Sequence, residues 1–498
     1  MIDAATVAVV RDAAVAAYPG GADAFSPDEA FPEYPFGGKA LSREPNPVYR
    51  LVRRAFLELG LDRGRFGTSA WNPLGEWIRP GERVLLKPNL VLERNLLGED
   101  ADRDSVVTHG SVVRAVLDYA FIALGGRGSL RIGDAPLQQC RFDEVVRSTG
   151  LDRVAAFYRE RAGIDPGPED FRLLVTEREG KLQVVRRAER REAGERFVEV
   201  DVGGASELAP VEGAAGRFRV TCYDPREMAL HHGGGRHRYL VARAVLDADV
   251  VIGMPKLKTH RKAGITGSLK NLVGINGHKD RLPHHRAGAA GEGADAYERS
   301  SFLKRWGERA LDRFNVTKSP ALQTALGLAS RVLVNAGKRL AHDPTFEGSW
   351  HGNDTIWRTV LDLNRILLYA GADGKLRPAP CRRHFGVADA IVAGEGEGPL
   401  EPTRKAAGIV TAGASAAALD FVHATIMGFE PLRMPAIANA FARGDRPIAP
   451  FEPEAIRVLF EGRATTAAEA AEAIGLRFEP SAGWRGHVES GAREPVRP

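Results

Sequence analysis

An α/β protein with a mostly parallel sheet core flanked by helices is the fold this sequence predicts, with an antiparallel β-rich insertion and additional helices. Three observations carry that reading. Short apolar runs that end at Pro, Gly or Asp alternate with helical patterns across connections of a few residues, as parallel sheets require. The rhythm breaks over residues 165–240 into short alternating segments separated by charged or glycine turns. It then resumes at RYLVARAVLDADVVIGMP. A chain of 498 residues exceeds the usual single core, and at roughly 100–200 residues per domain it holds about two to four domains or one large unit with insertions.

The elements follow in order. TVAVV near the N-terminus reads as a first strand, and FSPDEAFPEYPFGG as an irregular, aromatic segment that wraps over the surface. NPVYRLVRRAFLELGLD (46–62) is an amphipathic helix with Asn46 as cap, Pro47 at the first helical position and Gly60 as its end. RVLLKPNLV (83–91) is a buried strand stopped by Pro88, followed by a helix from about Ser111 to Leu124. SLRIGDAP (129–136) is the next strand, and RFDEVVRSTGLDRVAAFYRER continues as helix. FRLLVTE, KLQVVRR, RFVEVDV and RFRVTCY make the antiparallel insertion.

After VVIGM, stopped by Pro255, comes a basic segment, then helix over 300–345 and 354–370 with Asn353 or Asp354 as the second cap. FGVADAIVAG, GIVTAG and an Ala-rich helix (414–428) return to the core, and a polar Gly/Pro tail from Pro480 is expected to fray. The corresponding division is 1–80 (strand, wrapping segment, helix), 81–164 (first part of the core), 165–237 (insertion), 238–286 (core strand and basic glycine-rich site), 287–384 (helical), 385–479 (second part of the core) and 480–498 (flexible tail).

Charge is concentrated. The chain has 69 Lys and Arg against 64 Asp and Glu, net +5, yet residues 256–286 alone hold eight cations and one carboxylate, net +7. Apolar runs break well short of the roughly 18–20 residues of a membrane span, and the N-terminus lacks a basic leader, so a cytoplasmic protein with no membrane partner is expected. Cys140, Cys222 and Cys381 are far apart without CxxC spacing, which argues against a disulfide framework, a zinc finger or an iron–sulfur cluster; they read as buried small hydrophobes.

The candidate site gathers at strand ends, where open α/β sheets bind ligands. Lys87 and Asn89 follow one strand, and Asp134 ends the next. His109 lies in Thr108-His109-Gly110-Ser111, where Thr108 or Ser111 caps a helix whose free amides suit an anion. Lys256, Lys258 and His260 alternate along an extended segment and so share one side. Ammonium groups crowded beside an imidazole suit a carboxylate, phosphate or enolate, and their repulsion lowers a lysine toward a base or Schiff-base role. Thr266, Gly267 and Ser268 open a short helix, SLKNLVGI, with an anion-binding end that includes Lys270 and Asn271. His278 and Arg281 are further anion contacts, and His278, His284 and His285 lack zinc-protease spacing. Asp389, Glu395 and Glu397 form an acidic loop suited to a divalent metal or a hydroxyl-rich ligand. The spacing matches neither a phosphate-binding P-loop nor a dinucleotide fingerprint.

KPN at 87–89, the His109 segment, GDAP at 133–136, PKLKTH at 255–260, TGSLKNLVG at 266–274, DAIVAGEGEGP and LDFVHATIMG together resemble the domain-of-unknown-function family 362, in the same order, over about residues 80–430. Several members carry ferredoxin-type cysteine clusters, which this chain lacks, and the resemblance implies a fold rather than a reaction. More distantly the segment is similar to the nickel-pincer lactate racemase group, whose lysines and histidines hold a pyridinium-derived cofactor and a 2-hydroxy acid. Lys256, Lys258, His260 and Lys270 are the matching residue types, without a residue-by-residue alignment.

The expectation is an enzyme that binds a small anionic substrate. Lys256, Lys258, His260 and Lys270 would be catalytic, and Lys87, Asn89, His109, Asp134, Thr266, Gly267, Ser268, Asn271, His278 and Arg281 would bind substrate. The alternatives are a non-catalytic accessory protein that carries a cofactor or intermediate to a partner enzyme, and nucleic-acid binding through 256–286. The second is disfavoured because the charge is focused and no aromatic interleaves it.

Overall fold

A computed structural model describes residues 3–20, 23–99, 101–179, 184–189, 193–220 and 223–491. The core is one eleven-stranded sheet. In chain order its strands are β1 (Thr6–Arg11), β2 (Arg83–Pro88), β3 (Ser129–Asp134), β4 (Glu169–Asp170), β5 (Val250–Met254), β6 (Lys256–His260), β7 (Gly264–Thr266), β8 (Arg383–Glu397), β9 (Glu401–Gly413), β10 (Arg457–Phe460) and β11 (Arg463–Thr465). Across the sheet they run β11-β10-β1-β9-β8-β5-β2-β3-β4, with β6 added to β8 and β7 to β6. The pairs β8–β5, β5–β2, β2–β3, β3–β4, β1–β10 and β8–β6 are parallel.

Strand alternation builds two layers. Ala8 and Val10 of β1 face one apolar cluster with the helices Pro47–Glu58 and Gly110–Leu124, while Val7 and Val9 face another with Ile356–Tyr369 and Ala416–Ile426. Asn46 caps the first helix through Tyr49 N–H at 3.2 Å, as its sequence signature implies.

Several expectations are corrected. Within the expected, mostly parallel sheet the two longest strands among the described residues, β8 and β9, pair antiparallel as a hairpin closed over residues 398–400, a pairing on which periodicity is silent. Glu395 and Glu397 therefore lie in β8 and not in a loop. The helix after residue 141 is two, Phe142–Thr149 and Leu151–Ala162, broken at Gly150 with φ of 75°. The tail is packed as far as it is described: Trp484 is buried and its indole N–H donates to the Arg261 carbonyl at 2.7 Å. Cys140 is buried but Cys381 is exposed, and Cys222 lies outside the described residues.

Small antiparallel sheets occupy the region between β4 and β5, including the pair Leu174–Glu179 with Val184–Glu189, and Phe197–Asp201 with Arg236–Ala242. Parts of KLQVVRR and RFRVTCY fall outside the described residues.

The N-terminal wrapping segment is held by a buried ion pair. Arg114 donates to Asp118 at 2.7 Å, to the Ala24 carbonyl at 3.0 Å and to the Tyr34 hydroxyl at 2.9 Å, while Tyr49 donates to Asp118. Both charged side chains are fully buried. Arg114→Leu strands the Asp118 carboxylate and is expected to cost about 3–5 kcal/mol, read as a lower urea midpoint.

Candidate functional site

The carboxyl ends of β2, β3 and β5 converge. At the end of β2 the Lys87 ammonium donates to Asp134 at 2.7 Å, to Asn271 Oδ1 at 3.1 Å and to the Pro88 carbonyl at 2.9 Å. The second Asp134 oxygen accepts the Leu90 N–H at 2.7 Å, and Asn271 Nδ2 returns a bond to the Lys87 carbonyl at 2.9 Å. Burial depresses the Lys87 ammonium, and Asp134 opposes that depression. Gly274 packs directly on Asp134 and Lys87, where any side chain would collide, which accounts for the glycine in this segment.

Pro255 interrupts the strand and β6 restarts beside β8, with Lys256 opposite Asp389. The register shifts between Lys256 and Lys258, and the two ammonium groups find different partners. Lys256 is spent on structure: its ammonium donates to Asp389 at 2.7 Å, to the Tyr18 hydroxyl at 2.5 Å and to the Val392 carbonyl at 3.1 Å. Lys258 has no carboxylate partner, and its ammonium donates to the Val106 carbonyl. Burial, then the charges of Lys256 and Lys270, hold it well below the ordinary lysine range.

Lys258 and His260 line a cavity of about 400 Å³ together with Lys87, Asn89, Asp134, Thr266, Lys270 and Asn271. Gln139, Lys262, Lys279, His284, Arg261, Tyr223, Glu347, Ser349 and Glu401 complete its polar wall, and Val91, Leu96, Leu137, Val220, Leu282 and Leu400 contribute to an apolar one. Its six cations face three carboxylates. Asp134 is paired with Lys87, and Glu401 with Arg261.

The charge excess appears in the titration of the lysines. Burial, then Lys262 and Lys87, bring Lys270 down to about 8. Lys279 falls to about 7 chiefly through burial; Asp134 opposes the fall, and Lys87, Lys270 and Arg172 add to it. The Lys279 ammonium donates to the Val273 carbonyl at 3.2 Å, whereas Lys270 makes no hydrogen bond or ion pair to any described residue. The Thr266 hydroxyl, on a residue only 5% exposed, is also unpartnered.

Two imidazoles lie in the same wall. His260 Nδ1 accepts the N–H of Lys262 at 3.0 Å and of Ala263 at 3.2 Å, so the neutral ring carries its proton on Nε2. His284 Nδ1 lies 2.6 Å from the Leu282 carbonyl, an acceptor only, so its proton sits on Nδ1 and Nε2 keeps a lone pair. Burial and the surrounding cations hold both rings well below the ordinary histidine range, hence neutral.

Other expected residues lie elsewhere. His109, rather than Thr108 or Ser111, caps helix Gly110–Leu124: its Nδ1 accepts the Ser111 N–H at 3.2 Å, and its ring stacks on Tyr18 at 4.1 Å. Thr108 instead donates to the Met254 carbonyl. The amides of Ser268 and Leu269 are taken by Asp420, at 2.6 and 2.9 Å, so the anion at this short helix is the chain's own carboxylate. Gly267 sits against the same carboxylate. His278 faces Glu227 at 3.9 Å, and Arg281 donates to Glu199 at 3.0 Å.

The expected metal group does not converge. Asp389 is tied to Lys256, Tyr18 and the His109 N–H, Glu395 pairs with Lys405 and Glu397 with Arg261. Among the described residues no group of three or more His, Cys, Asp or Glu side chains is placed to hold a metal ion. Lys262, Lys279 and His284 were legible only as members of the basic segment, and Glu347, Ser349, Tyr223 and Glu401 gave no signal, because their relation to the site is set by the fold.

Residues 204–425 match the family model described as Domain of unknown function (DUF362). That family carries no assigned function. A thylakoid-associated protein of Synechocystis sp. is 23% identical over 376 residues, covering 76% of this chain and 72% of the relative. No solved structure matches. The matched span holds Lys258, His260, Lys262, Lys270, Lys279 and His284, while Lys87, Asn89 and Asp134 precede it. Neither match carries the likeness to the lactate racemase group. No helix among the described residues is long and apolar enough to cross a membrane.

Because Lys256 holds Asp389 in a fully buried pair, Lys256→Met is expected to cost about 3–5 kcal/mol in denaturant titration. Lys256→Met combined with Asp389→Leu should recover a large part of that loss, since no buried charge is then left alone.

Proposed function

We propose that this protein is an enzyme that binds a small organic anion, carrying a carboxylate or phosphate, in the cavity at the carboxyl ends of β2, β3 and β5. The observation that carries the reading is the uncompensated positive charge: Lys258 and Lys270 face the cavity without carboxylate partners. Burying ammonium groups unpaired is costly, and a bound anion supplies the missing counter-charge. The unpartnered Thr266 hydroxyl offers a further donor. The apolar wall suits a carbon skeleton, and of the two neutral imidazoles His260 offers a hydrogen-bond donor at Nε2 and His284 a proton acceptor at Nε2.

The accessory-carrier reading shares the anion site and differs in lacking turnover. Nucleic-acid binding is disfavoured because the cations gather around one cavity of about 400 Å³ instead of running in a stripe along the surface. Mass spectrometry of small molecules released from the purified protein tests carriage directly.

Binding is measured by calorimetry with inorganic phosphate and pyruvate as probes. Lys258→Met is expected to weaken the better probe at least about tenfold, the worth of one charge-assisted hydrogen bond. Unchanged affinity with an unchanged melting temperature would remove this site.

The pH dependence follows from the lysines. Lys279 and Lys270 titrate at about 7 and about 8 without ligand, and an anion raises both. Above those values binding takes up protons, so affinity falls as pH rises, by up to about tenfold per unit for each lysine. Lys270→Met should flatten the part of the fall that begins near pH 8.

A further inference from the structure

We infer that Lys270 is a nucleophilic amine that forms an imine with an aldehyde or ketone carrying a carboxylate or phosphate, an assignment that rests on the anion-site reading above and names its substrate class. The lysines around the cavity are not equivalent. Lys87 is held by three acceptors and Lys258 by the Val106 carbonyl, and Lys279 is anchored on the Val273 carbonyl. Lys270 alone among these four has no acceptor in the described residues, although it lines the cavity.

An ammonium in that position has nothing to stabilise its charge and two cations, Lys262 and Lys87, against it. Its drop to about 8 leaves about a tenth as free amine at pH 7, far more than an ordinary lysine, with the lone pair that an electrophilic carbonyl carbon needs. A simple anion site gains nothing from a lysine that sheds its proton; a carbonyl site does. Lys258 and the Thr266 hydroxyl supply donors for the anionic group, and the apolar wall at Val91, Leu137 and Leu400 takes the carbon chain.

The step balances without an oxidant. The Lys270 nitrogen adds to the carbonyl carbon and forms the C–N bond, while the C=O π pair moves to oxygen, which takes up a proton. The carbinolamine then loses that oxygen as water with a second proton delivered to it, and the nitrogen gives up its two protons in turn, one on forming the carbinolamine and one on losing water, so amine plus carbonyl gives imine plus water. His260, whose Nε2 carries its proton and which lies near enough to feel the Lys270 charge, is placed to donate a hydrogen bond to that oxygen as negative charge builds on it, while the protons themselves come from the nitrogen and from water.

The test is reductive trapping on the full chain. The protein is incubated with pyruvate or, separately, with glyceraldehyde 3-phosphate, then treated with borohydride, which reduces an imine to a stable secondary amine. Intact mass and peptide mapping locate the adduct, and calorimetry with each probe, together with lactate as a carboxylate without a carbonyl, is run in parallel. The expected result is one adduct at Lys270 with at least one probe, lost more than about tenfold in Lys270→Arg, which keeps the charge but removes the nucleophile. The probe that gives it tells carboxylate from phosphate. An adduct spread over surface lysines, or located at Lys279, overturns the assignment. Probes that bind without a trapped adduct overturn the imine and leave the anion site standing. Failure of every anion to bind, lactate included, removes both readings.

Discussion

Burying ammonium groups at the carboxyl edge of a parallel sheet is the constraint on which the rest of this structure depends. Each such group costs several kcal/mol unless hydrogen bonds and a counter-charge replace water. The fold handles them in two ways. Lys87 and Lys256 receive carboxylates, Asp134 and Asp389, from neighbouring strands, and each makes two further hydrogen bonds. Lys258 and Lys270 receive none, and their charge turns inward onto a cavity. The first pair holds strand ends together, and the second leaves a local demand for negative charge.

The same economy of carboxylates explains what became of other anion sites. Amides at a helix start attract an anion, and at residues 268–269 the chain fills that place with Asp420. The acidic residues near the end of β8 each meet a cation of their own, Lys256, Lys405 or Arg261, and so do not gather around a metal. The span that matches the uncharacterised family supplies most of the lysines and both imidazoles of the cavity, whereas Lys87, Asn89 and Asp134 come from the chain before it. The cavity therefore depends on two stretches of sequence brought together by the parallel pairing of β2 with β5 and β3.

Much of the architecture was legible in the chain because local rules govern it. Pro88 and Asp134 close apolar runs that are strands, and Asn46 with Pro47 opens a helix. Lys87, Asn89, Asp134, Lys258, His260, Thr266, Lys270 and Asn271 were recognisable as strand-end or loop residues and do line one cavity. The pairing sense of β8 and β9 was not legible, because a buried apolar run reads alike in either direction. The packing around Trp484 was missed for a similar reason: it involves a bond from the Trp484 indole to the carbonyl at position 261, not any local pattern.

The sequence by itself determined an α/β fold, the strand ends and a basic, glycine-rich segment, since periodicity, turn residues and charge are properties of neighbours. Which lysine is structural and which faces the cavity was decided only in three dimensions. Lys256 and Lys258 are two positions apart with the same side chain, and they differ because one meets Asp389 and the other does not. A lysine's protonation and role depend on the charges within a few ångströms, and the carboxylate that sets Lys256 apart arrives from a residue more than a hundred positions away.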